Sequence, residues 1–308
     1  MNPKSTALRA LTAGLSLLSC GLSHAQNGEV ASPVVGVHRV AGDVYMLDTD
    51  TRKFEGGNMA VLVGAEGLLL VDTNSGSHTS AIVAALKKLA DRPVRYVINT
   101  HCHGDHTGGN AVFQRAGATV IAQSNVRKRL EQDKCDEIQK DLPTLTFDSE
   151  LTLEFDGEEV TALKLPTSHT DGDAMVYFKH ANVVHTGDVF VSINLPFRSK
   201  YAGGDILGLA DALREIVRRV PEDAKVIPGH GPQASMGDIR RAIRILDEMR
   251  DAVAVGVKQG KTLDELTKMK LLSPWQEALG AGDDGSYYLR DFYNALTGVP
   301  LEPKFRLN

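Results

Sequence analysis

The sequence predicts an α/β protein in which two β-sheets pack face to face with helices outside. Clusters of short apolar runs separated by Gly and Asp turns occur in both halves, and helical spacing punctuates each cluster. No repeat, low-complexity run or internal linker divides the chain after its first residues. GVHRVAGDVYMLDT and NMAVLVGAEGLLLVDT, at 36–49 and 58–73, read as hairpins with turns at Ala41-Gly42-Asp43 and Ala65-Glu66-Gly67. Ile82, Leu86 and Leu89 recur at helical spacing, with Pro93 just beyond them. A buried strand follows at Val94–Ile98, then a helix near Asn110–Ala116, a strand at Ala118–Ala122 and a helix at Ser124–Asp133. LTLEF, EVTALKLP, AMVYF and NVVHTG make the second strand cluster, over 145–191. A helix at Ile206–Val220 and a strand at Lys225–Ile227 precede a loop, PGHGP. From Met236 onward the pattern is mostly helical. With no linker before it, this C-terminal part is expected to pack on the second half as a helical extension of a single domain, 26–308.

Residues 1–25 read as a secretory leader: Lys4 and Arg9, an apolar stretch from Ala10 to Leu18, and Ser23-His24-Ala25 at the cleavage end. The alternative is a lipoprotein signal with Cys20 lipidated, although Leu18 fits that motif poorly. Export to a periplasm, or secretion, is expected. No other stretch is apolar enough to span a bilayer. The leader holds two basic residues and no acidic ones, so its removal takes the formal charge from −5 to −7. A mildly acidic, unclustered surface argues against nucleic acid and leaves a small molecule as the expected partner. Cys102 and Cys135 then remain; two cysteines in an exported chain could pair, but nothing in the sequence places these together, and they do not make a disulfide framework.

The chemistry concentrates in NTHCHGDHTGGN, residues 99–110, which holds three of the chain's ten histidines. His101-Cys102-His103-Gly104-Asp105-His106 has the form H-x-H-x-D-H, directly after an apolar strand. Residues i and i+2 leave a strand end on the same side, so His101 and His103 can reach one metal together. A turn at Gly104 lets Asp105 and His106 face a second. Imidazole with carboxylate and no thiolate suits zinc, iron or manganese. Cys102 alternates with the histidines, so it faces away; it is expected to be a small apolar packing residue rather than a nucleophile.

A dinuclear site needs further ligands at strand ends, and three residues fit. They are His169 in LPTSHTDGD, Asp188 in VVHTGDVF and His230 in VIPGHGP. Each follows a strand and runs into a Gly-containing loop. Each alone reads as an ordinary loop residue; their shared placement is what sets them apart.

This set resembles the metallo-β-lactamase fold superfamily, over Val35 to about Pro232. The resemblance implies an αβ/βα four-layer sandwich with two metals, expected to be Zn2+, at one edge between the sheets. It places His101, His103 and His169 on the first metal, Asp105, His106 and His230 on the second, and Asp188 between them. Asp72, in LLLVDT, matches an aspartate that supports the metal loop without ligating. Relatives most effective on carbapenems often carry a cysteine at the Asp188 position, which this chain lacks. The His/Asp set is closer to lactonases and glyoxalase II-like thioesterases, although the motif comes later than in glyoxalase II.

The implied function is hydrolysis of a β-lactam, lactone or thioester, with β-lactamase activity the most economical specific expectation. On that expectation two metals would supply an activated water for attack on the carbonyl, and Asp105 would both ligate and move a proton. Alternatives are an iron-dependent redox enzyme of the sulfur dioxygenase type, and a metal-binding partner protein without turnover. For substrate contacts the sequence offers Phe54 and Asn58 in RKFEGGN, and Arg198, Lys200 and Tyr201 in INLPFRSKYAGG. The two basic residues and the tyrosine would hold a carboxylate, or be solvated loop groups. His38, His78, His180 and His185 lack a metal-like context. Tyr287, Tyr288, Phe292 and Tyr293 read as core packing.

Overall fold

The computed structural model describes residues 34–49, 56–135, 141–199, 201–280 and 284–300. The expected leader, Cys20, Phe54 and Lys200 lie outside the described residues.

The first sheet has seven strands in sequence order: β1 (Gly36–Ala41), β2 (Val44–Asp48), β3 (Met59–Val63), β4 (Leu68–Val71), β5 (Val94–Asn99), β6 (Thr119–Gln123) and β7 (Leu145–Phe147). Its first four strands are antiparallel hairpins, as the Gly turns predict, and β4 to β7 run parallel. The parallel pairs need crossovers. These are α1 (Thr79–Leu89) between β4 and β5, and α2 (Gly104–Thr107) with α3 (Asn110–Arg115) between β5 and β6. The third, between β6 and β7, contains α4 (Ser124–Glu131). The second sheet comprises β8 (Glu150–Phe155), β9 (Glu158–Lys164), β10 (Ala174–Phe178), β11 (Val183–His185), β12 (Lys225–Ile227) and β13 (Ala234–Ser235). Here β11 and β12 are parallel, joined through α5 (Gly208–Arg219).

Strand side chains alternate between two cores. Leu69, Val71, Ile98 and Ile121 of the first sheet meet Val160, Ala162, Val176 and Phe178 of the second, forming the central layer. Leu68, Leu70, Val97 and Val120 point the other way, onto Ile82 and Leu86 of α1 and Phe113 of α3. The outer face of the second sheet, through Leu163, Met175, Val184 and Val226, is covered by α5, α6 (Met236–Lys258) and α9 (Ser286–Thr297). Each fully buried Leu or Phe contributes roughly 1.5–3 kcal/mol. Helices, sheet, sheet and helices give the expected four-layer αβ/βα sandwich.

The C-terminal part adds α6, α7 (Leu263–Lys268), α8 (Gln276–Leu279) and α9. Ser235 and Asp238 form a reciprocal capping box at the start of α6. Tyr288 and Phe292 are buried in the helical core, as the aromatic pattern predicts. Among the described residues, no helix is long and apolar enough to cross a membrane.

One sequence expectation is corrected here. Cys102 and Cys135 form a disulfide, with Cα atoms 6.1 Å apart across a separation of 33 residues. Cys102 does turn away from its histidine neighbours, into a small cluster with Ala122, Val126, Leu130 and Ala202. Its role is nevertheless covalent: it ties the histidine loop to the segment after α4. Sequence could not reveal this because the two cysteines come together only when β5 and β6 pair and α4 folds back.

Candidate metal centre

Strand polarity gathers the site. β4 and β5 are parallel, as are β11 and β12, and β9 points the same way as β11 because both are antiparallel to β10. The carboxyl ends of β4 and β5 thus lie together in one sheet and those of β9, β11 and β12 in the other, and contacts such as His106–Asp188 and His106–His230 join the two sets. Asp72 follows β4, His101 to His106 follow β5, His169 follows β9, Asp188 follows β11 and His230 follows β12.

The structure brings all seven candidate ligands together in two groups. His101, His103, His169 and Asp188 place one donor atom each within 4.8 Å of one another, and so do Asp105, His106 and His230. Asp188 lies between the groups. Its Oδ2 is 3.6 Å from His169 Nε2 and 3.4 Å from His230 Nε2, and its Oδ1 is 3.2 Å from His106 Nε2. Asp105 Oδ2 is 3.0 Å from His230 Nε2. Asp105 has the most exposed side chain of the seven, at 26%, whereas Asp188 is 4% exposed and His169 is fully buried.

Acceptor-only partners fix which ring nitrogens carry hydrogen. The Thr100 hydroxyl donates to Asp72 Oδ2, so it must accept from His101 Nδ1 at 3.0 Å. The Phe197 carbonyl, 2.6 Å from His169 Nδ1, can only accept. The Asp72 carboxylate, 2.8 Å from His106 Nδ1, does the same. In each neutral ring the Nε2 lone pair is thereby turned inward. Nε2 of His101 and of His169 both converge on His103 Nδ1, at 3.1 and 3.0 Å. A single nitrogen cannot satisfy two lone pairs with one hydrogen. Lone pairs and the Asp188 carboxylate aimed at one point form a cation's donor set, so the residues fit divalent metal ions.

The electrostatics agree. Burial, reinforced by the neighbouring His106 and His103, holds the His101 imidazole well below its usual range, in the neutral ligating form. Burial would also lower His230, but the Asp188 charge and the Asp105 hydrogen bond outweigh it and raise the imidazole to about 9. His106 is likewise raised, because Asp105 and Asp188 overcome its burial. Burial would raise the Asp105 and Asp188 carboxyls, yet the facing imidazoles hold both well below the usual carboxylate range. Without a cation the second group is a proton-sharing cluster whose protons a metal must displace.

Supporting contacts explain how the loops stay in place. Asp72 sits at φ +62° and also accepts from Thr100 N at 2.8 Å, pinning the start of the histidine loop. Asp173 accepts from the Ser168 hydroxyl at 2.6 Å and from Thr170 N, shaping the turn that presents His169. Gly57 N donates to the Asp105 carbonyl, and a Cβ on Gly57 would strike the His106 ring. Gly229 approaches Asp188 so closely that a Cβ there would collide with the carboxylate and with the Gly187 backbone.

The model of the metallo-beta-lactamase superfamily matches residues 52–230. The chain belongs to that superfamily. The matched span ends on His230. A metallo-beta-lactamase type 2 of Bacillus sp. strain 170 is 22% identical over 190 residues, covering 61% of this chain and 72% of that one. A hydroxyacylglutathione hydrolase of Pelagibacter ubique is 29% identical over 148 residues, covering 47% and 56%. Among solved structures, a metallo-beta-lactamase from Pontibacter korlensis superposes with a TM-score of 0.61 at 21% identity, covering 70% of this chain and 99% of that one. At that identity the likeness establishes the superfamily fold.

The expected substrate contacts fare differently from the metal set. Asn58 is buried, and its side-chain amide donates to the carbonyls of Pro228 and Gly231, at 2.9 and 2.8 Å. It holds the His230 loop rather than facing a ligand. Its own carbonyl accepts from Nε2 of buried His185, at 3.1 Å. Arg198 is also corrected. Its side chain is 3% exposed and lies 2.7 Å from the Asp291 carboxylate, so it is not available to a substrate carboxylate. Only Tyr201, 40% exposed, keeps an open position among the described candidates.

Sequence reading missed Asp173, Asn58 as a loop anchor, and the Arg198–Asp291 pair. The Asp four residues after His169 was a readable signal for the first. The pair joins positions too distant in sequence to be read as partners.

Proposed function

We propose that this chain is an exported dinuclear zinc hydrolase acting on a cyclic or activated carbonyl compound, whether β-lactam, lactone or thioester. The observation that carries the reading is Asp188, a single carboxylate shared by two donor groups that otherwise contain only His and Asp. The names of the relatives, a metallo-beta-lactamase and a hydroxyacylglutathione hydrolase, bracket the acyl substrates in view. The disulfide favours an oxidising compartment, in keeping with the expected leader.

When bound, a pair of divalent ions supplies Lewis acidity toward a carbonyl oxygen and lowers the pKa of water to near neutrality. His101, His103 and His169 would hold one ion, and Asp105, His106 and His230 the other, with Asp188 contacting both. Asp105 is the more exposed of the two site carboxylates, and its Oδ2 reaches His230 Nε2 at 3.0 Å. In this reading it orients the attacking water and passes its proton toward the leaving group. The buried histidines, held by Thr100, Phe197 and Asp72, keep their lone pairs aimed inward so that little reorganisation accompanies reaction.

The test is elemental analysis of protein purified without added metal, followed by a panel of lactams, lactones, thioesters and phosphoesters with and without chelator. Near two zinc per chain with chelator-sensitive carbonyl hydrolysis is expected. One iron with oxygen uptake, or metal binding with no turnover on any substrate, overturns the proposal.

A further inference from the structure

The loop Leu195–Ser199 has no regular secondary structure, yet it carries a carbonyl that orients a candidate ligand. Phe197 O accepts from His169 Nδ1 at 2.6 Å, and Ser199 N donates to His169 O at 2.6 Å. No strand ladder places this carbonyl. Side chains of α9, almost ninety residues further along the chain, bond to the residues flanking it.

Three side chains of α9 hold the loop on both sides of Phe197. Tyr288 donates its hydroxyl to Leu195 O at 2.7 Å. Tyr287 accepts from Arg198 N and donates to Arg198 O, both at 3.0 Å, so its one hydroxyl serves both polar backbone groups of the residue next to Phe197. Asp291 pairs with the Arg198 side chain in a contact that is charge–charge in character, with both groups nearly buried. Burial and the Asp291 charge keep the Tyr287 phenol protonated, as donation requires. α9 itself is delimited by Gly285 and Gly298, both at φ +71°, and is seated by Tyr288 and Phe292 in the helical core. All of these α9 residues lie beyond the span matched by the superfamily model, which ends at residue 230.

We propose that α9 sets the orientation of the His169 imidazole, and with it the divalent-metal affinity of the His101/His103/His169 group, acting through Tyr287, Tyr288 and Asp291 on the Phe197 carbonyl. The inference rests on the reading that this site holds metal. Tyr287, Tyr288 and Asp291 are positioning residues: they touch the loop, not the donor atoms. A carbonyl partner on the far nitrogen of a ligating histidine fixes the tautomer and ring angle, and losing such a partner typically weakens metal binding about 10–100-fold. Loosening the loop should therefore act on one metal and spare the other, because His106 of the second group takes its Nδ1 partner from Asp72 rather than from this loop.

Full-length Tyr287→Phe, Tyr288→Phe and Asp291→Asn proteins, stripped of metal, are titrated with Zn2+ against a chromophoric chelator and with Co2+ by absorption. His103→Ala identifies which equivalent belongs to the three-histidine group. The expected result is a loss of about tenfold or more in that equivalent, a change of less than about twofold in the other, and an altered Co2+ spectrum. The thermal midpoint of the metal-free protein should stay close to the parent's. In the His103→Ala background, Tyr287→Phe should leave the remaining equivalent unchanged. Retention of both affinities by all three variants, in a parent that binds two metals, overturns the inference. So does parallel loss of both equivalents with a lowered midpoint of the metal-free protein, the signature of a purely structural role. A parent that binds no divalent metal overturns the proposed function as well, and the two failures are thus distinguishable.

Discussion

The carboxylate of Asp72 stands 2.8 Å from Nδ1 of His106, on the edge of the ring opposite Asp188 and His230. The same carboxylate receives the Thr100 hydroxyl and amide. One residue at the end of β4 thus fixes a tautomer directly in one donor group and, through Thr100, in the other.

Asp72→Asn should keep the left-handed backbone conformation, which Asn tolerates, while removing the charge that holds the His106 proton. Metal affinity of the Asp105/His106/His230 group should fall about 10–100-fold. Chelator competition on the purified variant checks this; unchanged affinity would remove Asp72 from the account.

Asp188→Ala and His103→Ala test a proposed shared ligand against a proposed local one. Asp188→Ala should lower the occupancy of both metals together with hydrolysis, and His103→Ala should lower one metal first. Elemental analysis alongside the rate on the best panel substrate reads both. Full activity after either change would refute the site.

Metal uptake should depend on pH with a definite sign. His106 and His230 are both raised in the metal-free cluster, so both favour the protonated ring, and His230, raised to about 9, holds its proton below that pH. Metal needs the neutral rings, so affinity of the second group should rise as pH increases toward about 9 and binding should release protons. Calorimetry in buffers of different ionisation enthalpy measures the release, and pH-independent binding without release would contradict the cluster's electrostatics.

Replacing Cys102 and Cys135 together by Ala removes a cross-link closing a 33-residue span. The stability loss should be about 2–4 kcal/mol, read by denaturant unfolding. Reductant should destabilise the parent by a similar amount and leave the double variant unaffected.

Gly229→Ala tests the closest approach in the site, since its Cβ would meet the Asp188 carboxylate and the fixed Gly187 backbone. A cost of roughly 1–3 kcal/mol with loss of bound metal is expected. Wild-type metal content with unchanged stability would show that the β12 loop is not packed as described.

The donor set was readable because its chemistry is local. His101 to His106 lie in one run after one strand, and His169, Asp188 and His230 each sit where an apolar strand enters a Gly-containing loop. Strand alternation and turn residues are short-range properties, so they also revealed the two sheets and the four layers. Asn58 and Arg198 were misread for the complementary reason. A polar side chain in a loop looks available until long-range folding shows what it faces. Asn58 faces the Pro228 and Gly231 carbonyls, and Arg198 faces Asp291.

By itself, then, the sequence determined which residues could ligate and on which kind of element each sits. Tertiary structure alone decided that Cys102 and Cys135 join, and that parallel strands bring five separate segments to one edge. It also decided that a C-terminal helix holds the loop behind His169. These are contacts between residues tens to almost two hundred positions apart. Nothing in local propensity encodes such pairs; they form only when burial of the shared core brings the segments together.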